Sequence, residues 1–477
     1  MTIPKEVQTI LEKLQSSGFQ AYAVGGCVRD LLLGKKPHDW DITTNAVPAQ
    51  IQEIFPESFY ENNFGTVTVR TESDDPALQH IQITPYRKEA KYTDKRHPEE
   101  ITFASKLEED LSRRDFTINA VALDKDGSVT DPHGGQADLK NKIIRTVGNP
   151  DERFNEDALR LLRAVRFAAV LNFNIEPETF EAVKNNRHWL EAISKERIRD
   201  EFLKIIESEN AYKGVLLFLE TGLLEHTVPE LLEGVGVEQN LHHIYTVWEH
   251  NILALKYTVE KKYPTHVRLA ALLHDVGKPR TKRGQGKNST FYGHEVIGAR
   301  MTAQIMERLK FSKEIAEKVI RLVRYHLFYY NVGEVTEASV RRLLVKVGPE
   351  NIEDLLKVRE ADRIGSGTPK AVPYKLRHLK YIIDKVSHDP ISVKMLKVDG
   401  KNIMEILKIE PGPKIGLILN SLLAEVLDDP NKNTKEYLQQ RIHELDKRSP
   451  EELRDALKRI EKAIEEEEKE RMKKYYV

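Results

Sequence analysis

The chain has 477 residues, of which 40% are hydrophobic and 31% charged, and its formal net charge is −1. This length allows about three domains, and the near-zero charge excludes a uniformly basic coat for nucleic acid, so a polyanionic partner must be met by local patches. The single cysteine, Cys27, excludes a disulfide framework, and no apolar run approaches membrane-spanning length, so we expect a cytoplasmic protein without a membrane partner.

The first 145 residues mix helix and strand patterns. After an amphipathic N-terminal helix, short strands are predicted at 21–24, 40–44, 65–70 and 80–86. From about residue 150 the pattern is almost wholly helical. The predicted fold is therefore α+β, a small mixed-sheet head followed by an elongated all-α body. The predicted domains are a head (1–145), a helical neck (146–235), a histidine-rich domain (236–380) and a tail (381–477).

Residues 25–41 combine a glycine turn with two carboxylates that flank one residue. In a strand, residues i and i+2 point to the same face, so Asp39 and Asp41 would aim two negative charges at one spot. Such a pair is costly unless a divalent cation lies between the carboxylates, and Mg²⁺ prefers carboxylate oxygens together with substrate phosphates. Gly25 and Gly26 would let the backbone approach a phosphate closely. This segment predicts phosphoryl or nucleotidyl transfer.

Arginines in two later segments suit a nucleotide. Arg113 and Arg114 precede a predicted helix, and adjacent guanidinium groups can bind triphosphate oxygens bidentately. A glycine turn at 131–135 (DPHGG) follows them.

A long helix is predicted over 156–171, with Asn155 or Asp151 as its cap. On that helix Asp157 and Arg160 would be neighbours on one face, where an acceptor and a planar donor can read the edge of a base. A surface ion pair is the alternative interpretation of these two residues.

Together the segments GGCVRD with DWD, RRDFTINA, DPHGG and EDALRLLRAVRF resemble the class II tRNA nucleotidyltransferases of the DNA polymerase β superfamily. That family includes CCA-adding enzymes and bacterial poly(A) polymerases, and the resemblance covers about residues 20–230. It implies that Asp39 and Asp41 bind catalytic Mg²⁺ and that Asp157 and Arg160 form a protein template for CTP and then ATP. The nucleotide-binding residues implied are Gly25, Gly26, Arg29, Arg114, Asp157, Arg160, Arg163 and Arg166.

Two features of the head are weighed separately. Superfamily members often carry a third carboxylate on a neighbouring strand, but Gln82 stands where an acid is expected, and Asp110 or Glu109 could serve instead. The basic segment 86–100 occupies the position of the flexible element that the family needs for switching from C to A addition. A plain surface hairpin is the alternative for this segment.

A second group of residues lies between 240 and 365. Leu272-Leu273-His274-Asp275-Val276-Gly277-Lys278-Pro279 ends an apolar helix with two adjacent ligand types. Imidazole and carboxylate together suit Mn²⁺, Fe, Ni²⁺, Zn²⁺ or Mg²⁺. The candidate metal-binding residues of this stretch are His250, His274, Asp275, His294, His326 and Asp362.

This stretch resembles an HD-domain metal phosphohydrolase. The resemblance implies a first metal on His250, His274, Asp275 and Asp362, with His294 and His326 serving a second metal or the substrate phosphate. Lys278 and the basic loop 280–287 could hold that phosphate. The activity implied is 2′,3′-cyclic phosphodiesterase or phosphatase action on RNA ends. A retained helical scaffold without turnover is the alternative.

The tail contains a helix start after Pro411-Gly412-Pro413, where Lys414 could hold an RNA phosphate, and another at residues 433–436. Ordinary helix capping is the alternative interpretation of these starts. The resemblance implies that this tail grips tRNA. The whole chain is thus predicted to build the CCA end of tRNA from CTP and ATP. Two alternatives stay open within the class, an A-adding enzyme and a poly(A) polymerase. A metal-dependent phosphohydrolase whose inactive head only binds RNA is the alternative from another class.

Overall fold

The computed structural model describes residues 3–60, 65–92, 98–240 and 244–473, and the chain forms two compact units. The first unit runs to Leu232 and includes Glu307–Phe311, and the second comprises Glu233–Met306 and the chain from Ser312 onward. The predicted α+β class is confirmed, because a mixed sheet lies in the first unit and helices dominate elsewhere. The finer division into four domains stays a prediction.

The described part of the head contains ten strands and five helices. Its strands are β1 (Ala21–Val24), β2 (Trp40–Thr44), β3 (Ser58–Tyr60), β4 (Val67–Arg70), β5 (His80–Pro85), β6 (Arg87–Tyr92), β7 (Pro98–Phe103), β8 (Ala122–Leu123), β9 (Val129–Thr130) and β10 (Ile143–Ile144). Its helices are α1 (Lys5–Ser16), α2 (Gly26–Leu32), α3 (Pro48–Ile54), α4 (Leu107–Ser112) and α5 (Gly135–Asn141). The four predicted strands are confirmed, although β4 begins at Val67 rather than at residue 65 and β5 ends at Pro85.

Seven strands form the main sheet, in the order β3-β4-β5-β2-β1-β8-β9. The pair β2–β5 is parallel and the other pairs are antiparallel, and β6 pairs with β7 in a separate two-stranded sheet. Trp40 and Ile42 point into the core that α1 and α3 build on one face of the sheet. Because side chains alternate along a strand, Asp41 and Thr43 point to the opposite face.

The neck follows with six helices and one short strand. They are α6 (Pro150–Glu156), α7 (Leu159–Leu171), α8 (Pro177–Asn186), α9 (Lys195–Glu207), α10 (Ala211–Glu220), α11 (Leu224–Thr227) and β11 (Asn174–Ile175), which runs parallel to β10.

The prediction of one helix over 156–171 is wrong. Asp157 has extended backbone angles (φ −137°, ψ 106°) and separates α6 from α7. The predicted caps are also wrong, since the side chain of Asn149 accepts hydrogen bonds at the start of α6 and Pro150 follows it. An Asn followed by proline is a common helix start, and here it lies two residues before Asp151 and six before Asn155.

The second unit is helical, and α15 crosses its boundary. The remaining helices are α12 (Val247–Glu260), α13 (Thr265–Leu273), α14 (Lys278–Thr281), α15 (His294–Arg308), α16 (Lys313–Tyr325), α17 (Glu337–Val347), α18 (Ile352–Gly365), α19 (Tyr374–Val386), α20 (Gly400–Leu407), α21 (Pro413–Asp428), α22 (Lys435–Asp446) and α23 (Pro450–Lys473). Short 3₁₀ turns occur at Thr117–Asn119, Arg187–Ala192, Pro229–Gly234, Gly286–Asn288, Pro349–Asn351, Val393–Met395 and Pro430–Lys432. None of the described helices is both long and apolar enough to cross a bilayer.

The tail helices start where the sequence predicts. Proline at position 413 opens α21, and the hydroxyl of Thr434 caps α22. Lys414 is already engaged, because its Nζ donates to the backbone carbonyl oxygen of Asp446 (2.7 Å) and to the Oδ1 of that residue (2.6 Å). A phosphate at this position would have to replace that ion pair.

Candidate functional sites

The head site is built where β1, β2 and the segment after α4 meet. Gly25 links β1 to α2 with φ +85°, a conformation that favours glycine. A Cβ built on Gly25 would lie 3.1 Å from Nη1 of Arg114 and 3.7 Å from Oδ2 of Asp41. Glycine at this position therefore lets a carboxylate and a guanidinium group share one corner.

The electrostatics of this corner fit a cation. Burial raises the pKa of Asp41 to about 6, Arg114 opposes this shift, and the neighbouring Asp39 carboxylate adds to it. Among the described residues, no side chain or backbone group donates a hydrogen bond to either carboxylate. Two adjacent carboxylates, one of them partly buried, are a donor set suited to Mg²⁺.

The structure answers the question of the third acid in two parts. Gln82 lies directly beside Asp41 in the β2–β5 register, so the neighbouring strand presents an amide there. Asp110 is fully buried, and its Oδ2 accepts from the Thr43 hydroxyl at 3.2 Å and from Arg114 Nη2 at 3.3 Å. Although burial favours its neutral form, Arg113 and Arg114 outweigh this and hold the pKa of Asp110 below its usual range. Asp110 therefore orients the two arginines.

The helical pairing of Asp157 with Arg160 is not present. Asp157 precedes α7, and its Oδ2 accepts from Arg197 Nη2 at 3.2 Å. Arg160 is 8% exposed and bonds to Glu156 Oε2 at 2.5 Å and to the carbonyl oxygen of Arg113 at 3.2 Å. The break after α6 is the reason, because it removes Asp157 from the helical face that Arg160 occupies.

Arg163 and Arg166 lie on α7, and both carry ion pairs within the protein. Arg163 Nη2 lies 2.5 Å from Oδ2 of Asp115, and Arg166 Nε lies 2.6 Å from Oε2 of Glu201. Burial lowers the pKa of Arg166 to about 10, despite the attraction of Glu201. The acidic partners of these arginines were not among the predicted site residues.

A polar network joins α2 to α7 through the RRDFTINA segment. Arg29 Nη1 donates to Oδ1 of Asn119 at 3.0 Å, and the Asn119 amide donates to Asp115 at 3.0 Å. Asp115 in turn holds Arg163. The guanidinium groups of Arg29, Arg163 and Arg166 also lie 5.3, 5.4 and 3.9 Å from the centroid of the Phe167 ring. In the sequence, this network could have been inferred from Asp115 and Asn119, two polar residues among apolar ones directly after the arginine pair.

The segment 86–100 forms part of the β6–β7 hairpin. Residues 93–97, which include Lys95 and Arg96, lie outside the described residues. The role predicted for this segment in C-to-A switching stays a prediction.

All six residues of the second predicted site converge in one cluster. His250 comes from α12, His274 and Asp275 follow α13, His294 begins α15, and His326 follows α16; Asp362 lies on α18. Two groups of three have ligand atoms close enough to hold a cation, and Asp275 belongs to both. These groups are His250, His274 and Asp275, and Asp275, His294 and His326.

The two oxygens of Asp275 face different histidines. Oδ2 lies 3.0 Å from His250 Nε2 and 3.3 Å from His274 Nε2. Oδ1 lies 3.3 Å from His294 Nε2 and 3.5 Å from His326 Nε2. Asp362 completes the first group, since its Oδ1 lies 3.4 Å from His250 Nε2. One carboxylate can therefore bridge two cation positions.

The backbone sets the orientation of three imidazole rings. The Nδ1 atoms of His274, His294 and His326 each lie 2.7 Å from the carbonyl oxygen three residues earlier. A carbonyl oxygen accepts only, so each Nδ1 carries a proton, and each Nε2 offers its lone pair to the cluster when the ring is neutral. This is the tautomer that binds a metal through Nε2.

The cluster is strongly polarised. Burial opposes charging of His274, but Asp275 and Asp362 outweigh it and raise its pKa to about 10. Lys278 and Arg359, which lie 2.5 Å from Asp275 and Asp362, help to hold the pKa of each carboxyl well below its usual range against the effect of burial. Lys278 is itself buried, so it could contact a substrate phosphate, as predicted, only by breaking its ion pair with Asp275.

Two glycines allow this close convergence. A Cβ on Gly277 would lie 2.3 Å from the carbonyl oxygen of His294, and one on Gly365 would lie 3.1 Å from Nδ1 of His250. The glycine that follows His274-Asp275 in the sequence is therefore needed for the approach of α15. Gly365 and Arg359 were not among the predicted residues.

A mixed sheet carrying paired aspartates beside a glycine turn and an arginine pair defines a nucleotidyltransferase head, and the six-residue cluster defines an HD centre. Family models agree with this class. They are a poly A polymerase head domain at residues 21–145, a probable RNA and SrmB-binding site of polymerase A at 172–234 and an HD domain at 241–365.

Relatives narrow the class to one family. A CCA-adding enzyme of Lactococcus lactis is 33% identical over 437 residues, 90% of this chain and 94% of that protein. One from Ligilactobacillus salivarius is 35% identical over 91% of this chain and 95% of its own length. One from Lactobacillus helveticus is 48% identical, but the match spans about half of that relative, 53% of its length. The chain belongs to the CCA-adding enzyme family.

A solved structure agrees with this assignment. The Bacillus stearothermophilus CCA-adding enzyme in complex with CTP is 26% identical and matches 94% of this chain and 98% of its own, with a TM-score of 0.66. The Thermotoga maritima CCA-adding enzyme complexed with tRNA, at 21% identity and a TM-score of 0.55, shares the fold.

Proposed function

We propose that this chain adds C, C and A to the 3′ end of tRNA, using CTP and ATP and releasing pyrophosphate, in the cytoplasm. The observation that carries the proposal is the corner formed by Gly25, Asp39, Asp41 and Arg114, in a chain whose full-length relatives are CCA-adding enzymes. The family supports tRNA as the acceptor.

Each residue of the corner has a task in this reaction. Asp39 and Asp41 would hold Mg²⁺, which when bound supplies Lewis acidity at the attacking 3′-hydroxyl and at the α-phosphate. Gly25 leaves space for the phosphates beside Asp41. Arg114, oriented by Asp110, neutralises charge on the triphosphate. The 3′-hydroxyl gives up its proton to solvent, and its oxygen bonds to the α-phosphorus as the bond between that phosphorus and the oxygen leading to the β-phosphate breaks. Pyrophosphate leaves with that oxygen and its negative charge.

Asp157 and Arg160 remain the proposed template for the base. Arg160 is bonded to Glu156 and to backbone carbonyl oxygens, so base readout requires an exchange of these bonds for bonds to CTP or ATP. The Arg160→Ala variant is therefore expected to blur the choice between CTP and ATP more than it slows transfer. Unchanged selectivity at reduced stability would assign Arg160 a purely structural task.

The decisive test uses three tRNA transcripts, ending at the discriminator base, at C and at CC, with CTP and ATP supplied separately and together. Completion of CCA on all three supports the proposal. Growth from the CC end with ATP alone would identify an A-adding enzyme, and repeated addition of A would identify a poly(A) polymerase. No addition on any transcript would leave a head that only binds RNA.

We infer a second activity at the HD cluster, hydrolysis of phosphate esters at RNA ends, including 2′,3′-cyclic phosphates. It is favoured by the convergence of four histidines and two aspartates. Three of the histidines donate from Nδ1 to backbone carbonyl oxygens, which leaves Nε2 facing the cluster. This donor set suits a divalent transition metal better than Mg²⁺, because imidazole is the majority ligand. When bound, the metal supplies Lewis acidity to the phosphate ester. Release of phosphate or opening of the cyclic ester by the full-length protein, lost on chelation, is the test.

A further inference from the structure

Four aromatic side chains gather on one surface of the second unit. The His378 ring lies 6.0 Å from the rings of Tyr330 and Tyr374 and 6.2 Å from the ring of Tyr381, measured between centroids. Tyr374, His378 and Tyr381 follow an i, i+4, i+7 spacing on α19, so they share one side of the helix. Tyr374 and Tyr381 are each 62% exposed. We call these four residues the aromatic surface.

Basic side chains outnumber acidic ones along the segment that carries most of the aromatic surface, although Lys380 and Lys385 pair with Glu360 and Glu337. Residues 370–385 contain five basic side chains and one acidic side chain, Asp384, within a protein of net charge −1. The basic residues are Lys370, Lys375, Arg377, Lys380 and Lys385. Exposed rings among cations are the combination that binds unpaired nucleotides, because bases stack on the rings and phosphates meet the charges. The charge favours RNA over an apolar protein partner.

The aromatic surface is connected to the HD cluster by a short piece of chain. Non-helical residues 327–330 lead from the metal-binding candidate His326 to Tyr330, whose hydroxyl lies 2.5 Å from His378 Nδ1. Four residues span at most about 14 Å. Along the way the ring of Phe328 lies 5.8 Å from the guanidinium group of Arg359, which pairs with Asp362.

An ion pair between a partly exposed lysine and a buried glutamate also ties α19 to the helix that carries Asp362. Lys380 Nζ lies 2.9 Å from Oε1 of Glu360 on α18, and Glu360 is 5% exposed. The aromatic surface is thus held at two points, through Tyr330 and through Lys380, to elements that supply residues of the HD cluster.

We propose that the aromatic surface stacks the last unpaired nucleotides of an RNA whose terminal phosphate enters the HD cluster. This inference rests on the hydrolytic activity proposed for that cluster and adds its substrate class, RNA ends with a single-stranded 3′ tail. Stacking binds the substrate without touching the reacting atoms, so its loss should raise KM and leave kcat unchanged.

The test compares Tyr374→Ala/Tyr381→Ala with Tyr374→Phe/Tyr381→Phe in the full-length protein. The substrates are an oligonucleotide with an unpaired 3′ tail ending in a 2′,3′-cyclic phosphate, a blunt duplex with the same terminus, and bis(p-nitrophenyl) phosphate. For the tailed RNA the alanine variant should show a KM raised roughly tenfold or more and a kcat within about twofold of the parent. The phenylalanine variant should match the parent, since its rings still stack. The blunt duplex and the small ester should be hydrolysed equally by all three proteins.

An unchanged KM of the alanine variant on tailed RNA would overturn the inference. An equal loss on the small ester would also overturn it, because the two tyrosines would then support the cluster rather than the RNA. If the parent hydrolyses none of the substrates, the proposed activity fails, and fluorescence anisotropy with the same tailed oligonucleotide decides on the surface alone. Binding weakened about tenfold in the alanine variant supports stacking, and equal binding excludes it in favour of a protein occupant.

Discussion

The HD cluster and the head site both bring together carboxylates suited to a divalent cation, but the protein supplies many more ligands at the HD cluster than at the head. The HD cluster draws six buried or nearly buried side chains from several helices, and backbone carbonyl oxygens orient three of its imidazoles. The head offers two aspartates from one strand end, with Asp39 exposed. A site with many protein ligands can retain its metal alone, whereas Asp39 and Asp41 leave most positions to water and substrate phosphates. We therefore expect metal to co-purify with the second unit and to arrive at the head with the nucleotide.

The largest effect is expected from Asp41→Asn, which removes one of two head ligands. Loss of Lewis acidity worth several kcal/mol should lower CCA addition about a thousandfold or more. Nucleotide incorporation measures the loss of CCA addition. Hydrolysis at the HD cluster and the metal content of that cluster, measured by elemental analysis, should be unchanged. The exposed head residue Asp126, changed to Asn, is the control and should retain full addition. Retained addition in the Asp41 variant would exclude the head as a metal-dependent transferase.

A second pair of variants separates the two halves of the HD cluster. Asp275→Asn affects both groups of three, whereas His326→Ala affects only the second. Hydrolysis should fall about a hundredfold in the Asp275 variant, together with most of the bound metal. The His326 variant should keep more metal than the Asp275 variant. Equal metal contents in the two variants would contradict a bridging task for Asp275, and CCA addition should be normal in both.

A smaller effect is expected from Gly25→Ala, with Gly18→Ala as its matched control. Both glycines have positive φ values, +85° and +88°, so both substitutions should cost about 1–3 kcal/mol of stability. Only the methyl group at Gly25 would meet Arg114 and Asp41, whereas nothing lies within 4 Å at Gly18. Displacement of the corner should lower addition by about tenfold to a hundredfold in the Gly25 variant alone. An equal loss in both variants would mean that stability, rather than site geometry, limits activity.

The smallest effect is a pH-dependent shift in melting temperature. Burial holds the pKa of Asp41 at about 6, above the ordinary value of 3.8, so the folded state binds this proton more tightly than the unfolded chain does. The resulting stability is fully present below pH 3.8 and is lost as the pH rises through about 6. Without divalent metal, Asp41→Asn should therefore melt a few degrees above the parent at pH 7–8, with the difference shrinking toward pH 4. Equal melting temperatures at pH 8 would contradict a destabilising charge on the buried Asp41 carboxylate. Addition of Mg²⁺ with CTP should raise the melting temperature of the parent but not that of the variant.

The sequence determined the parts of this protein that depend on local patterns. Period-two alternation predicted β2 and with it the face on which Asp41 lies, because successive side chains of a strand point to opposite faces. Asp39 lies one residue before β2, so its position is set by the chain that leads into the strand. The glycine turn at Gly25 and the metal-binding pair His274 and Asp275 could also be recognised in the sequence, because phosphate approach and metal binding each require a few particular residue types. The break at Asp157 was not predicted, because the apolar residues over 156–171 repeat with a helical period and the Asn149-Pro150 start of α6 lies before that stretch.

The tertiary structure alone decided which distant residues share an environment. It brought Asp115 to Arg163 and Glu201 to Arg166, pairs whose separation along the chain carries no periodic signal. It also divided the oxygens of Asp275 between two sets of histidines and placed Tyr330 against α19. Such contacts follow from how whole helices and sheets pack, and packing depends on the combined shape of many side chains rather than on any local motif.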